Sequence, residues 1–272
     1  MVRSLWTGAT GMIAQQTNVD NIANNLANVN TTGYKSEMME FKSLLYQDIQ
    51  TRTTTANGDT NKPIGAEVGL GVRNSSIMSI FTQGSLNSTE SDTDFAIEGR
   101  GFFGVRGDDG NTYYTRNGHF LFGEGVDGIT LMTSEGFPVL DTEGKPIVLD
   151  ENQIATKVTF NQYGELFYPD EKGEYKSMDK TIGLWQFANP SGLEKEGGSL
   201  YNVTEASGEA ITEATSKDVQ KSTLKNKYLE GSNVQIADEM VNLIVAQRAY
   251  EMNSKVITTS DEMLQQANSL KR

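Results

Sequence analysis

The sequence predicts an α+β protein, with long N- and C-terminal helices forming a coiled-coil-like assembly domain, a largely antiparallel β middle domain and an extended β arm. Three observations carry that expectation. Apolar residues recur every seven positions at both ends, turn signals arrive every eight to ten residues in the middle, and a polar threonine-rich stretch comes after the first helical segment.

The N-terminal row is Leu5, Met12, Val19 and Leu26, with Ala9, Gln16 and Ala23 four residues further on. Such a repeat marks a coiled-coil seam, because winding at about 3.5 residues per turn keeps one stripe facing a partner. It predicts a helix over residues 4–29, about 40 Å long at ~1.5 Å per residue. Asn30, Thr31 and Thr32 end it, followed by Gly33, a residue suited to the left-handed conformation that stops helices. Six asparagines, at 18, 21, 24, 25, 28 and 30, crowd this segment. Asparagine is a mediocre helix former, so its density predicts side-chain hydrogen bonds to neighbours, and Asn24, Asn25 and Asn28 join the candidate assembly interface.

The C-terminal segment repeats the device with Ile236, Leu243, Tyr250, Ile257 and Leu264, flanked by Ala249, Val256, Met263 and Leu270. Ser232 with Gln235 three residues on reads as a capping box at its start. Helices of this kind draw most of their stability from packing. Both rows are therefore expected to dock on each other, on other subunits, or on both.

Between the helices, Asp109-Gly110, Asn117-Gly118, Asp127-Gly128, Glu135-Gly136 and Glu143-Gly144 are turn signals. The short apolar or β-branched runs 112–115, 120–122, 129–132 and 147–149 lie between them, and 158–160, 166–168 and 182–187 continue the rhythm. Residues 51–62 are polar and threonine-rich, with Asn57-Gly58 as a hairpin tip between extended arms, and residues 205–221 read as a surface connector. The expected division is an N-terminal assembly helix at 1–35, an arm at 36–75, a β-rich outer domain at 76–221, and a connector with the second assembly helix at 222–272, paired with the first.

The net charge is −13, from 23 basic and 36 acidic residues, which argues against nucleic acid. Residues 1–35 hold two basic residues and one acidic, residues 230–272 hold four and six, and the excess of negative charge falls in the middle. Nearly neutral ends suit packing; an acidic middle suits solvent. Cysteine is absent, which removes disulfides and thiolate chemistry. No window is apolar enough to span a membrane, and the opening residues lack a secretory-signal pattern, so membrane insertion and Sec-dependent export are not expected.

No catalytic, cofactor or metal site is expected. Gly99-Arg100-Gly101-Phe102-Phe103-Gly104 fits a dinucleotide pattern, but residues 105–110 read as a strand end and turn where a phosphate site needs a helix N-terminus. His119 is the single histidine and stands beside a turn, without the partners of a triad or a zinc site. The acidic clusters at 90–94, 108–109 and 170–171 sit at turns and lack calcium-loop spacing. A wall-acting hydrolase would need a carboxylate pair in a cleft, and a binding module would need a β domain that works without the helices; no motif supports either.

The segment Asn24-Asn25-Leu26-Ala27-Asn28-Val29-Asn30-Thr31-Thr32-Gly33-Tyr34-Lys35 closely resembles the N-terminal signature of bacterial flagellar rod and hook proteins. Asp94-Phe95-Ala96-Ile97-Glu98-Gly99-Arg100-Gly101-Phe102-Phe103 and Tyr114-Thr115-Arg116-Asn117-Gly118 look like β motifs of that family's middle domain, and residues 246–255 like its terminal-helix signature. The opening residues, the length and the Leu44-Leu45-Tyr46-Gln47 lead-in are most similar to the distal-rod branch, with proximal rod or hook-type subunits as the alternative. The resemblance implies a homo-oligomeric helical tube lined by the terminal helices, in contact with other rod and hook subunits and with basal-body bushing rings. It also implies export through the flagellar type III apparatus to a basal body lying between periplasm and outer membrane. In residues 46–63 it implies a rod-stiffening arm that includes Tyr46, Gln47, Thr53, Asn57, Gly58 and Pro63.

Overall fold

The computed structural model describes residues 2–50, 66–125, 128–149, 158–161, 164–169, 175–216 and 220–270. The chain forms two compact units, one of Met1–Ala27, Glu37–Met78 and Gln235–Arg272, the other of Asn28–Ser36 and Ser79–Val234.

The first unit holds helix α1 (Val2–Ala27), strands β1 (Glu37–Ser43), β2 (Tyr46–Gln50), β3 (Ala66–Gly69) and β4 (Val72–Ser79, its last residue belonging to the second unit), and helix α2 (Ile236–Ser269). α1 and α2 lie antiparallel, since Ser4 meets Ser260, Gly11 approaches Asn253 and Asn25 bonds Glu239. β1 pairs with β4 and β2 with β3, so the two pairs continue one another as a two-stranded ribbon. α2 starts later than the capping-box reading requires. Its N-cap is Gln235 with no side-chain cap bond, and Ser232 Oγ instead accepts from Val234 N–H, short of the helix. Asp238 and Glu239 in the first turn complement the helix dipole in place of a cap.

The second unit is a β body. Its largest sheet runs β16 (Glu194–Gly197), β17 (Leu200–Asn202), β8 (Thr112–Thr115), β7 (Phe102–Arg106), β15 (Leu184–Gln186) and β18 (Ile211–Thr212), with every pairing antiparallel. A second sheet orders β11 (Val148–Leu149), β10 (Gly128–Thr133) and β9 (Phe120–Gly125), and a third orders β12 (Thr159–Phe160), β13 (Glu165–Pro169) and β14 (Tyr175–Thr181). Two pairs complete it, β19 (Thr223–Asn226) with β6 (Phe95–Glu98), and β20 (Tyr228–Glu230) with β5 (Leu86–Ser88).

β7 lies inside the body. Consecutive side chains of a strand point to opposite faces, and Phe102 and Phe103 are both fully buried, Phe103 among Phe95, Phe120 and Leu131, Phe102 among Tyr114, Trp185 and Tyr201. This is the Gly-x-Gly-x-x-Gly stretch. Its last glycine is strand residue Gly104, where a Cβ would collide with the Trp185 ring, so the pattern serves packing between strands.

Residues 205–221 depart from the expected surface connector. They contain β18, which pairs at Trp185↔Thr212 and Gln186↔Ile211, and they bury Ser207 and Glu213. Glu213 accepts hydrogen bonds from Gln186 Nε2 at 2.6 Å, Ser222 N–H at 2.7 Å and Ser222 Oγ at 2.8 Å. A two-residue strand has no periodicity to read, and a buried glutamate looks solvated until its donors arrive from elsewhere in the chain.

Candidate assembly surface

The α1–α2 seam holds small and polar residues, with Ile257 packed over Gly8. Ser4 Oγ lies 3.1 Å from Ser260 Oγ, a Cβ on Gly8 would stand 3.0 Å from Ile257, and one on Gly11 would stand 2.7 Å from Asn253 Nδ2. Along α2 the buried residues Ala246 and Ser260 belong to the same row as Asn253. Small side chains let the two backbones approach closely. Gly11→Leu is expected to destabilise the helix pair by about 1–3 kcal/mol through overpacking, and Asn253→Ala to relieve much of that loss in a double-mutant cycle followed by helical circular dichroism.

Apart from Ile257, the larger apolar residues of the two heptad rows flank this seam. Leu5, Met12, Val19, Leu26, Leu243, Ile257 and Leu264 are half-buried, while Ile236 and Tyr250 are exposed. Beside them Trp6 is 67% exposed, Val245 62% and Met252 67%, with Ile13, Met240, Val241 and Ile244 also bare. All of these side chains lie on α1 and α2, and apolar side chains left exposed together mark an interaction surface.

The asparagines are divided between roles. Asn25 clamps the root of the ribbon: its Oδ1 accepts from Glu37 N–H at 2.9 Å while its Nδ2 donates to Glu37 O and to Glu239 Oε1, each at 2.9 Å. Asn21 Nδ2, one turn earlier, donates to the same Glu37 carbonyl at 3.1 Å. Asn28 Oδ1 accepts from Thr31 Oγ1, and Asn24 is exposed.

In the ribbon, Tyr46 pairs with Gly69 and Gln47 with Val68, and Leu45, Tyr46 and Ile49 are exposed. Thr53, Asn57, Gly58 and Pro63 lie outside the described residues.

A buried charge junction stands in the β body. Glu230 is fully buried and takes Lys35 Nζ at 2.6 Å on Oε1 and Arg116 Nη1 at 3.3 Å on Oε2. Lys35 also donates to Thr82 O at 2.8 Å, Arg116 Nη2 to Gly99 O at 2.9 Å, and Gly84 N–H to Glu230 Oε1 at 3.0 Å. The Arg116 guanidinium lies 5.0 Å from the Phe102 ring centre, a cation–π contact away from water. Burial, only partly offset by Glu230, pushes the Lys35 ammonium below its ordinary pKa of 10.5, and burial likewise lowers Arg116. The unfolded chain therefore binds more protons than the folded one between the lowered Lys35 pKa and 10.5. Stability due to this group is expected to rise as pH climbs through that window. Urea titrations from pH 7 to 10.5 should show the slope in the natural protein and its loss in Lys35→Met.

His119 precedes β9, half-exposed, with Nδ1 2.7 Å from the buried Asp94 carboxylate. Among the described residues no group of His, Asp and Glu is arranged to hold a metal ion, and no helix is long and apolar enough to cross a membrane.

Three family profiles match the chain in order: "Flagella basal body rod protein" over residues 5–35, "Flagellar hook protein FlgE/F/G D1 domain" over 96–168, and "Flagellar basal body rod FlgEFG protein C-terminal" over 225–270. Relatives match at full length. The flagellar basal-body rod protein FlgG of Borreliella burgdorferi is 43% identical over all of both chains, and that of Bacillus subtilis is 38% identical over the same extent. The FlgG protein of Agrobacterium fabrum is 41% identical over 96% of this chain and 97% of its own. The chain belongs to the flagellar basal-body rod family.

In this rod-family chain the charge junction takes one residue from each matched stretch, Lys35 from the first, Arg116 from the second and Glu230 from the third. Sequence motifs contain Lys35 and Arg116 but assign them no chemistry. Their only local signal is a lone cation at the end of a nearly neutral segment and another between apolar strands.

Proposed function

We propose that this chain, a structural subunit of the flagellar rod, builds the rod's distal section, polymerising through α1 and α2 into a rigid helical tube that carries motor torque to the hook. The observation that carries this reading is the broad apolar surface flanking a seam already closed by small residues, in a chain similar end to end to basal-body rod proteins. Helices that have closed on each other yet keep Trp6, Ile244 and Val245 bare have those side chains free for other copies. Contacts between unlike surfaces that do not close into a ring give a helical filament.

In this reading the terminal helices pack as coiled-coil-like layers in the tube, with Leu5, Met12, Val19, Leu26, Ile236, Leu243, Tyr250, Ile257 and Leu264 contributing to contacts around the seam. Asn24, Asn25 and Asn28 fix the chain beside those contacts. The four-part division at residues 35, 75 and 221 separates tube, arm and outer domain. The arm, with Tyr46, Gln47, Thr53, Asn57, Gly58 and Pro63, stiffens the rod by strand-like pairing with adjacent copies. Neighbouring rod and hook subunits, bushing rings and the type III export apparatus are the partners of such a subunit, and the envelope between periplasm and outer membrane is its place.

Electron microscopy of the purified full-length chain at rising concentration tests the reading. Straight tubular filaments are expected. Monomers at every concentration, also in the presence of preformed rod ends from isolated basal bodies, would remove it.

A further inference from the structure

The chain has ten methionines and no cysteine, so its reactive sulfur is all thioether. Among the described residues four methionines stand exposed, Met38, Met240, Met252 and Met263, and all four belong to the unit that carries the helices. Met252 and Met263 are eleven residues apart, about three helical turns, and so share one face of α2. With Val256, Thr259 and Ser4 they line an apolar cleft of about 470 Å³ beside the start of α1.

We propose that Met252 and Met263 form an oxidation site at which a peroxide disables the free subunit for polymerisation. The inference rests on the assembly reading above. A sulfur lone pair attacks one peroxide oxygen, the O–O bond breaks as the S–O bond forms, and the departing hydroxide takes the remaining proton to leave as water. Sulfur loses two electrons and the peroxide gains them. The product is a polar, chiral sulfoxide on what was a flexible apolar side chain. At 67% and 51% exposure the residues carrying these sulfurs are open to solvent in the subunit, and packing in the tube would cover them. A sulfoxide oxygen buried there without a donor weakens the contact by about ten-fold in its equilibrium constant.

The test uses the full-length chain and hydrogen peroxide, with peptide mass spectrometry to locate sulfoxides and light scattering to follow polymerisation. Oxidation at Met252 and Met263 is expected to raise the critical concentration about ten-fold or more, and methionine sulfoxide reductase to restore it. The Met252→Leu, Met263→Leu double variant, which keeps apolar volume, is expected to polymerise normally and to stay competent after peroxide. Peroxide added after polymerisation is expected to spare both sulfurs. Oxidised wild-type chain that polymerises like the untreated chain overturns the inference and leaves the assembly reading standing. Equal loss in the double variant overturns it too, moving the sensitive sulfur to Met12, Met38 or Met240. An untreated chain that never polymerises, even on rod ends, removes the assembly reading and this inference together.

Discussion

Glu230→Gln is expected to destabilise the β body by about 3–5 kcal/mol, enough to unfold a large share of molecules in a domain of ordinary stability. The variant keeps the size of the side chain and removes its charge, leaving Lys35 and Arg116 in a water-free site with no carboxylate between them. Lys35→Met makes the contrast. It leaves Arg116 and Glu230 as a neutral pair, with Gly84 N–H still on Oε1, and gives up the Lys35 bonds to Glu230 Oε1 and Thr82 O, so its cost should stay near ~1–3 kcal/mol. Trp185 is buried in this body and Trp6 is exposed on α1, so urea unfolding read by fluorescence in a Trp6→Phe background reports the body alone. Equal midpoints for wild type and Glu230→Gln would show that the junction contributes nothing to its stability.

Val245→Asp is expected to abolish filaments while leaving the subunit folded. Val245 is exposed in the subunit, so a charge there should change folding stability by no more than ~0.5 kcal/mol. In a packed tube the same carboxylate would be buried without a partner. A penalty of about 3 kcal/mol or more per contact raises the critical concentration over a hundred-fold. Sedimentation and helical circular dichroism on one sample separate the two effects. Filaments formed at the wild-type concentration would place the assembly contacts on some face other than this one.

The sequence made the helices legible because a seven-residue repeat survives over five apolar positions, from Ile236 to Leu264. It did not reveal which stripe closes the helix pair. Of the seam residues Ser4, Gly8, Gly11, Asn253, Ile257 and Ser260 only Ile257 stands in an apolar row, so a pattern of apolar spacing passes over the others and finds the flanking rows instead. The β runs were legible between glycine turns, and 112–115 coincides with β8. The order β16-β17-β8-β7-β15-β18 was not, because the two local pairs β16-β17 and β8-β7 are joined through β17 to β8 and β7 to β15, strands from distant parts of the chain whose meeting nothing local records. Glu230 was invisible for the same reason. A carboxylate reads as solvated until two cations from residues 35 and 116 are brought to it.

The path of the chain at that junction has a mechanical meaning. Residues 33–36 belong to the β body and hand the chain on to the ribbon at Glu37, residues 230–233 lead out of the body toward α2, and the two runs are stitched together by Gly33 N–H to Glu230 O at 2.8 Å, Ser36 N–H to Asn233 Oδ1 at 2.7 Å and the Lys35–Glu230 ion pair. Tension applied along the backbone between α1 and α2 is therefore shunted across a few bonds at the neck and does not travel through the nearly two hundred residues looped beyond it. In connectivity the ribbon and the body together are a loop of rope tied off at its throat. Its outer turns can lengthen, shorten or change charge without altering the tensile connection between the helices, whereas weakening the throat would put the whole loop in series with the strain.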